Sequence, residues 1–258
     1  MCLIFLSLDC HPTYKLIVVA NRDEFYSRKT APAQFWKDHP DVLGGRDLEA
    51  GGTWMGVSKS GSVSMVTNYR DPKNINPSAP SRGHLVSDFL MNDEDPLEYL
   101  GWVERSGYQY NGFNLIVGKK SDLYYYSNYK EVIEKITPGI HGLSNHFLDT
   151  PWPKVTAGVN KMRPLMEEKD PDPDALLNAI YDDTIAQDHE LPDTGIGLER
   201  ERWLSAMFIK SPGYGSRSST VLMIDRSDHV VFVERVYDTA SFDYTTSTFS
   251  FKLAGSNS

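Results

Sequence analysis

Two near-continuous apolar runs open the chain, CLIFLSL at 2–8 and YKLIVVA at 14–20, separated by DCHPT. The Asp and Pro of the separator suit a turn, so the runs predict a β-hairpin. Hydrophobicity at almost every position, rather than every second one, marks strands covered on both faces. Residues 21–52 are polar and punctuated by glycine pairs at 44–45 and 51–52. TWMGVSK (53–59) and GSVSMVTN (61–68) then alternate apolar with small residues about Lys59-Ser60-Gly61, a second hairpin. Helical spacing appears at 82–91, with Ser81 placed to cap it, and at 96–105, where Pro96 suits a first turn. Strand patterns resume at 113–118, 122–128, 131–137 and 139–145. Two further helices are predicted over 154–168 and 173–182, and 183–200 reads as a polar excursion, a surface loop or lid. The final part is strand-like again at 205–211, 219–226, 229–238 and 246–253.

This order of strands, helices, strands, helices and strands is not a βαβ alternation. It predicts an α+β fold, a four-layer αββα sandwich of two mostly antiparallel sheets with helices outside. Neither an internal repeat nor a linker interrupts the chain, so one domain over 1–258 is expected.

Charge narrows the range of partners. Lys and Arg total 26 against 35 Asp and Glu, a net charge of −9 at pH 7, with no basic block. That balance argues against nucleic acid and against an anionic membrane surface. No window holds the roughly 18–20 apolar residues of a spanning helix, and the apolar start has no basic flank and stops at Asp9, unlike a signal peptide. The two cysteines, Cys2 and Cys10, make no disulfide framework and suit a reducing cytoplasm. Seven scattered histidines lack metal-ligand spacing and no phosphate-cradling glycine motif occurs, so neither a metal nor a cofactor is expected.

Cys2 is the first candidate for chemistry. Loss of Met1 would leave an α-amino group of pKa about 7.7–8.0, a recognised base for an N-terminal thiol nucleophile. The plain alternative is a small hydrophobe that begins a strand. The second candidate is ANRDEF (20–25), four polar residues directly after an apolar strand with no Gly or Pro between. Either the strand emerges into solvent there, or a hairpin turning at 9–13 returns Arg22 and Asp23 to the side of Cys2. In that position an Arg would favour the thiolate and a carboxylate would hold the α-ammonium, with Glu24 in reserve.

These motifs form an ordered set. MC at the start, VVANRDEFYSR (18–28), GGRDLEAGGTWMGV (44–57), MVTNYRDP (65–72), GLSN (142–145) and RSSTVLMIDR (217–226) together resemble the NRDE family, whose animal members are called transport and Golgi organisation 2. That family is similar, more distantly, to the cysteine-type N-terminal-nucleophile hydrolases: choloylglycine hydrolase, penicillin V acylase and acid ceramidase. The resemblance implies their αββα sandwich, and a hydrolase or acyltransferase acting on a non-peptide amide or related acyl bond. Residue by residue, it implies Cys2 as nucleophile, Asn68 and Asn145 at the oxyanion, and Arg217 as the C-terminal arginine of the site. The hydrolases have an Arg followed three residues later by an Asp. Here Arg22 and Asp23 are adjacent, and Asn21 and Glu24 hold the spacing of three. An amide NH2 aimed at an oxyanion is worth about 10²–10³ in rate, although Asn is also a common loop starter. The animal branch is associated with lipid and haem handling, so the second implied class is a non-catalytic haem or lipid carrier on the same fold. Either class takes a small-molecule partner.

Overall fold

The computed structural model describes residues 2–255. In β1 (Cys2–Leu8) and β2 (Tyr14–Phe25) successive side chains point to opposite faces, which is why both strands are apolar throughout. Ile4, Leu6, Leu16 and Val18 enter one core, while Leu3, Phe5, Ile17 and Val19 enter another. The two strands are central in a sheet ordered β10-β1-β2-β12-β13-β14, built with β10 (Gly139–Leu143), β12 (Tyr214–Asp225), β13 (His229–Tyr237) and β14 (Tyr244–Lys252). A two-residue strand, β11 (Lys210–Ser211), pairs with β12 off this path.

The second sheet is a meander in sequence order. It comprises β3 (Thr30–Phe35), β4 (Val42–Asp47), β5 (Met55–Ser58), β6 (Ser62–Asn68), β7 (Phe113–Lys119), β8 (Asp122–Ser127) and β9 (Glu134–Lys135). Its inner face closes on the first sheet through Met55, Val57, Val63, Met65 and Ile116. Outside it lie α1 (Gly83–Asn92) and α2 (Pro96–Ser106), whose Leu85, Phe89, Leu100 and Val103 pack on Leu115 and Val117. Outside the first sheet lie α3 (Pro153–Met166) and α4 (Pro173–Ile180), packed through Val155, Met162, Leu176 and Leu177. The four layers are therefore αββα, as the order of patterns predicts. Among the described residues no helix is long and apolar enough to cross a membrane.

The boundaries differ where apolar signal is thin. The polar, glycine-punctuated stretch 21–52 contains the end of β2 and all of β3 and β4, whose sequences TAPAQF and VLGGRD offer few apolar residues. Residues 206–209 are buried but unpaired as strand, and only Lys210–Ser211 joins β12. The excursion after α4 ends in a short helix, α5 (Leu198–Leu204). One glycine fixes the height of a whole layer: a Cβ on Gly158 in α3 would stand 1.9 Å from Phe5 Cζ, so only glycine lets α3 lie this close to β1.

Glu234 bridges the two sheets from β13, with the Ala33 backbone N–H donating to its Oε2 at 2.5 Å. The residue is 1% exposed, and burial pushes its pKa up from 4.5 to about 7. An acid that holds its proton more tightly in the fold stabilises the fold at low pH. That contribution is lost as pH rises from 4.5 through about 7. Glu234→Gln is therefore expected to melt higher than the parent at pH 8, by an amount approaching about 3 kcal/mol. The gap should close towards pH 5, which thermal unfolding at the two pH values checks.

Candidate active site

Cys2 stands opposite Arg22 in the β1–β2 register. Strand alternation then divides the polar run of β2 between two faces. Asn21 points to the helical layer, where its Nδ2 donates to Ile180 O and Met207 O at 3.2 and 2.8 Å. Asp23 shares that face and accepts from Ser216 Oγ at 2.6 Å. Arg22 and Glu24 turn inward between the sheets. The Arg22 guanidinium lies 4.2 Å above the Trp54 ring, with Glu24 Oε2 at 3.9 Å from its Nη2. Trp54 lies flat there because position 45 is glycine: a Cβ would meet the indole at 2.2 Å. The strand does not emerge into solvent, since Asn21, Arg22 and Asp23 are all buried.

The electrostatics around the thiol pull in two directions. Burial pushes the Cys2 pKa up and the Asp23 charge adds to it, while Arg22 and a hydrogen bond from the Asp23 backbone N–H favour the thiolate. Burial also raises the Asp23 carboxyl, opposed first by Lys154. Met1, whose removal would free the Cys2 amine, lies outside the described residues.

A cavity of about 900 Å³ opens beside Cys2, and Arg22, Asp23, Trp54, Asn68 and Arg82 share its wall. Asn68 ends β6 at the cavity. Asn145 is buried behind it and holds the strand end: its Nδ2 donates to Asn68 O at 3.0 Å and its backbone O accepts from Arg70 N at 2.8 Å. Arg217 stands off the cavity wall, contrary to its expected place in the site. Its Nη1 donates to Phe25 O and Tyr26 O at 3.1 and 3.2 Å and also to Arg28 O, clamping the turn between β2 and β3. The register shift between Ser216 and Ser218 in β12 interrupts its alternation at this point. Four of the six candidates, Cys2, Arg22, Asp23 and Asn68, thus meet at one cavity, and two brace its surroundings.

Three further features escape a reading of the sequence. Lys154, in the first turn of α3, is 2% exposed, and among the described residues its Nζ has no hydrogen-bond partner. Burial lowers its pKa to about 8, with Asp23 the largest opposing influence and Cys2 a further one. A lysine beginning a polar-looking helix carries no local signal of burial; only the packing of α3 on β1 creates it. Arg70 and Glu201 form a buried ion pair at 2.7 Å, with side chains 5% and 4% exposed, and Glu201 also accepts from Thr194 N and Oγ1 at 2.8 and 2.6 Å. That pair fastens α5, which contributes Arg200 and Trp203 to the cavity, and the segment before it, which contributes Ile196. Finally, Arg28 Nη2 meets Asp47 Oδ2 at 2.6 Å, tying the motif of β2 to the glycine pair of β4.

The architecture and these motifs agree with comparisons to known proteins. A family model described as Transport and Golgi organisation 2 matches residues 1–239. The Transport and Golgi organization 2 homolog of Mus musculus is 37% identical over 275 residues, covering 98% of this chain and 99% of its own. The chain belongs to the Transport and Golgi organisation 2 family. Its Drosophila melanogaster relative, Transport and Golgi organization protein 2, is 28% identical over 262 residues with 91% of each covered. Among solved structures, a mutant of the conjugated bile acid hydrolase from Clostridium perfringens matches with a TM-score of 0.50 at 9% identity, over 98% of this chain and 97% of that one. Likeness at that identity concerns the fold: this Transport and Golgi organisation 2 chain shares its αββα sandwich with that structure.

Proposed function

We propose that this chain is an N-terminal-cysteine hydrolase or acyltransferase acting on a non-peptide amide or related acyl bond. The observation that carries the reading is the meeting of Cys2, Arg22, Asp23 and Asn68 at one cavity, with Cys2 in register opposite Arg22. Once Met1 is removed, the Cys2 amine takes the thiol proton and Sγ attacks the substrate carbonyl carbon. The oxyanion accepts from the Asn68 side-chain amide, the kind of donor worth about 10²–10³ in rate. Asn145 holds Asn68 in place through its backbone carbonyl. Collapse breaks the C–N bond, and the ammonium of Cys2 returns its proton to the leaving amine. Water, or an acceptor amine, then attacks the thioester and restores the thiol, again with the amine as base. Arg22 favours the thiolate, the Asp23 backbone N–H steadies the sulfur, and Lys154 offsets the charge of Asp23.

The reading is tested with a panel of fluorogenic N-acyl amides of 7-amino-4-methylcoumarin. Release of the coumarin at a rate that rises as pH passes about 7.7–8.0, where an α-amine loses its proton, is the expected result. Binding without release, unchanged when Cys2 is replaced by alanine, would make the chain a carrier of haem or lipid instead.

A further inference from the structure

Two of the guanidinium groups on the cavity wall have their charge answered by an acid: Arg28 by Asp47 at 2.6 Å and Arg70 by Glu201 at 2.7 Å. Arg22 has only a long contact of this kind, and among the described residues Arg82 has none. Arg22 is 5% exposed yet lines the cavity, and among the described residues its guanidinium makes no hydrogen bond. Its nearest carboxylate, Glu24, stands 3.9 Å away and is shared with Arg28 at 4.0 Å. The Trp54 face beneath it attracts the cation but accepts no in-plane N–H. Arg82 reaches the same cavity from the residue before α1, donating one Nη1 bond to Gly112 O at 3.0 Å. Among the described residues it has no carboxylate within ion-pair distance. Arg82 and Cys2 line the same cavity, and burial lowers the pKa of Arg82, with Glu24 and Cys2 the foremost groups opposing that shift.

We infer that Arg22 and Arg82 form an anion-binding subsite beside Cys2, made for an oxyanion, carboxylate or phosphate, carried by the acyl substrate. A desolvated cation with only a distant or shared counter-charge is costly, and a guanidinium offers five N–H donors in a planar fork that matches an oxyanion. A bound carboxylate or phosphate supplies the close acceptors that both side chains lack, and a nearer negative charge than the shared Glu24. This deepens the reading of Cys2 as the site of acyl chemistry, and rests on it.

Cys2 itself reports on the subsite. Iodoacetate and iodoacetamide alkylate a thiolate by the same displacement of iodide and differ in charge, and exposed Cys10 is an internal control. In the full chain at low salt, the iodoacetate-to-iodoacetamide rate ratio should be higher at Cys2 than at Cys10 by about tenfold or more, the lower end of what a charged cleft does to local counter-ion concentration. The excess should shrink as salt is added. Arg82→Gln, which leaves Arg22 in place, should bring the ratio down towards that of Cys10, and Arg82→Lys should keep more of it. Protection of Cys2 by acetate or by inorganic phosphate distinguishes the two oxyanions. A ratio at Cys2 no higher than at Cys10, or one untouched by Arg82→Gln in a normally melting variant, overturns the subsite. Slow but carboxylate-selective labelling counts against the nucleophile reading alone, and a Cys2 that neither reagent reaches overturns both.

Discussion

Cys2→Ala is expected to lower release of the amine from an acyl amide by at least about 10⁴-fold, as loss of the nucleophile does in well-studied hydrolases. The melting temperature should barely move. Cys2 is the first residue of β1, and alanine keeps the Cβ that packs there. What disappears is the sulfur that the Asp23 N–H and the Arg22 charge favour as thiolate. Cys2→Ser separates two parts of the account, because it keeps the amine and the space but offers a hydroxyl that is far harder to ionise. Its rate should fall with that of alanine or only slightly above it. Comparing kcat/KM of the three proteins, with thermal unfolding alongside, checks the prediction.

Glu201→Ala is expected to cost about 3–5 kcal/mol of stability, the penalty for leaving one partner of a buried ion pair uncompensated. Arg70 would remain buried, stacked 4.7 Å over Trp152, with the acceptor of its 2.7 Å bond gone. Thr194 would lose the carboxylate oxygen that receives both its N–H and its hydroxyl. In a chain of this size the melting temperature should drop by about 10 °C. Arg70→Met combined with Glu201→Leu should recover much of the loss, since apolar replacement of both partners removes the stranded charge. Denaturant melts of the single and double variants measure the coupling directly.

The fold was legible where apolar pattern was strong. The doubly covered hairpin of β1 and β2, the second hairpin of β5 and β6, and the four long helices all come from periodicity that packing then used without conflict. Strands β3 and β4 were not legible, because glycine and polar residues occupy positions where Trp54 and the Arg28–Asp47 pair must fit. The site was legible in part, and strand geometry explains how far. A turn at 9–13 does bring β2 back to Cys2, so Arg22 and Asp23 arrive as expected. Alternation then sends them to opposite faces, which makes Lys154 rather than Arg22 the main counter-charge of Asp23. Lys154, Arg82 and Glu201 reach the site from α3, the residue before α1 and α5. Their placing depends on how whole layers stack, and no local pattern encodes that.

The proposed chemistry depends on Cys2 becoming an N-terminal nucleophile. It is tested most directly by mass spectrometry of the untagged chain, mixed briefly with p-nitrophenyl butyrate and quenched in acid. The expected product is a protein lacking Met1 and carrying one butyryl group on the peptide that begins at Cys2, removed by hydroxylamine as a thioester is. A protein that keeps Met1 and bears no acyl group on Cys2 would contradict it.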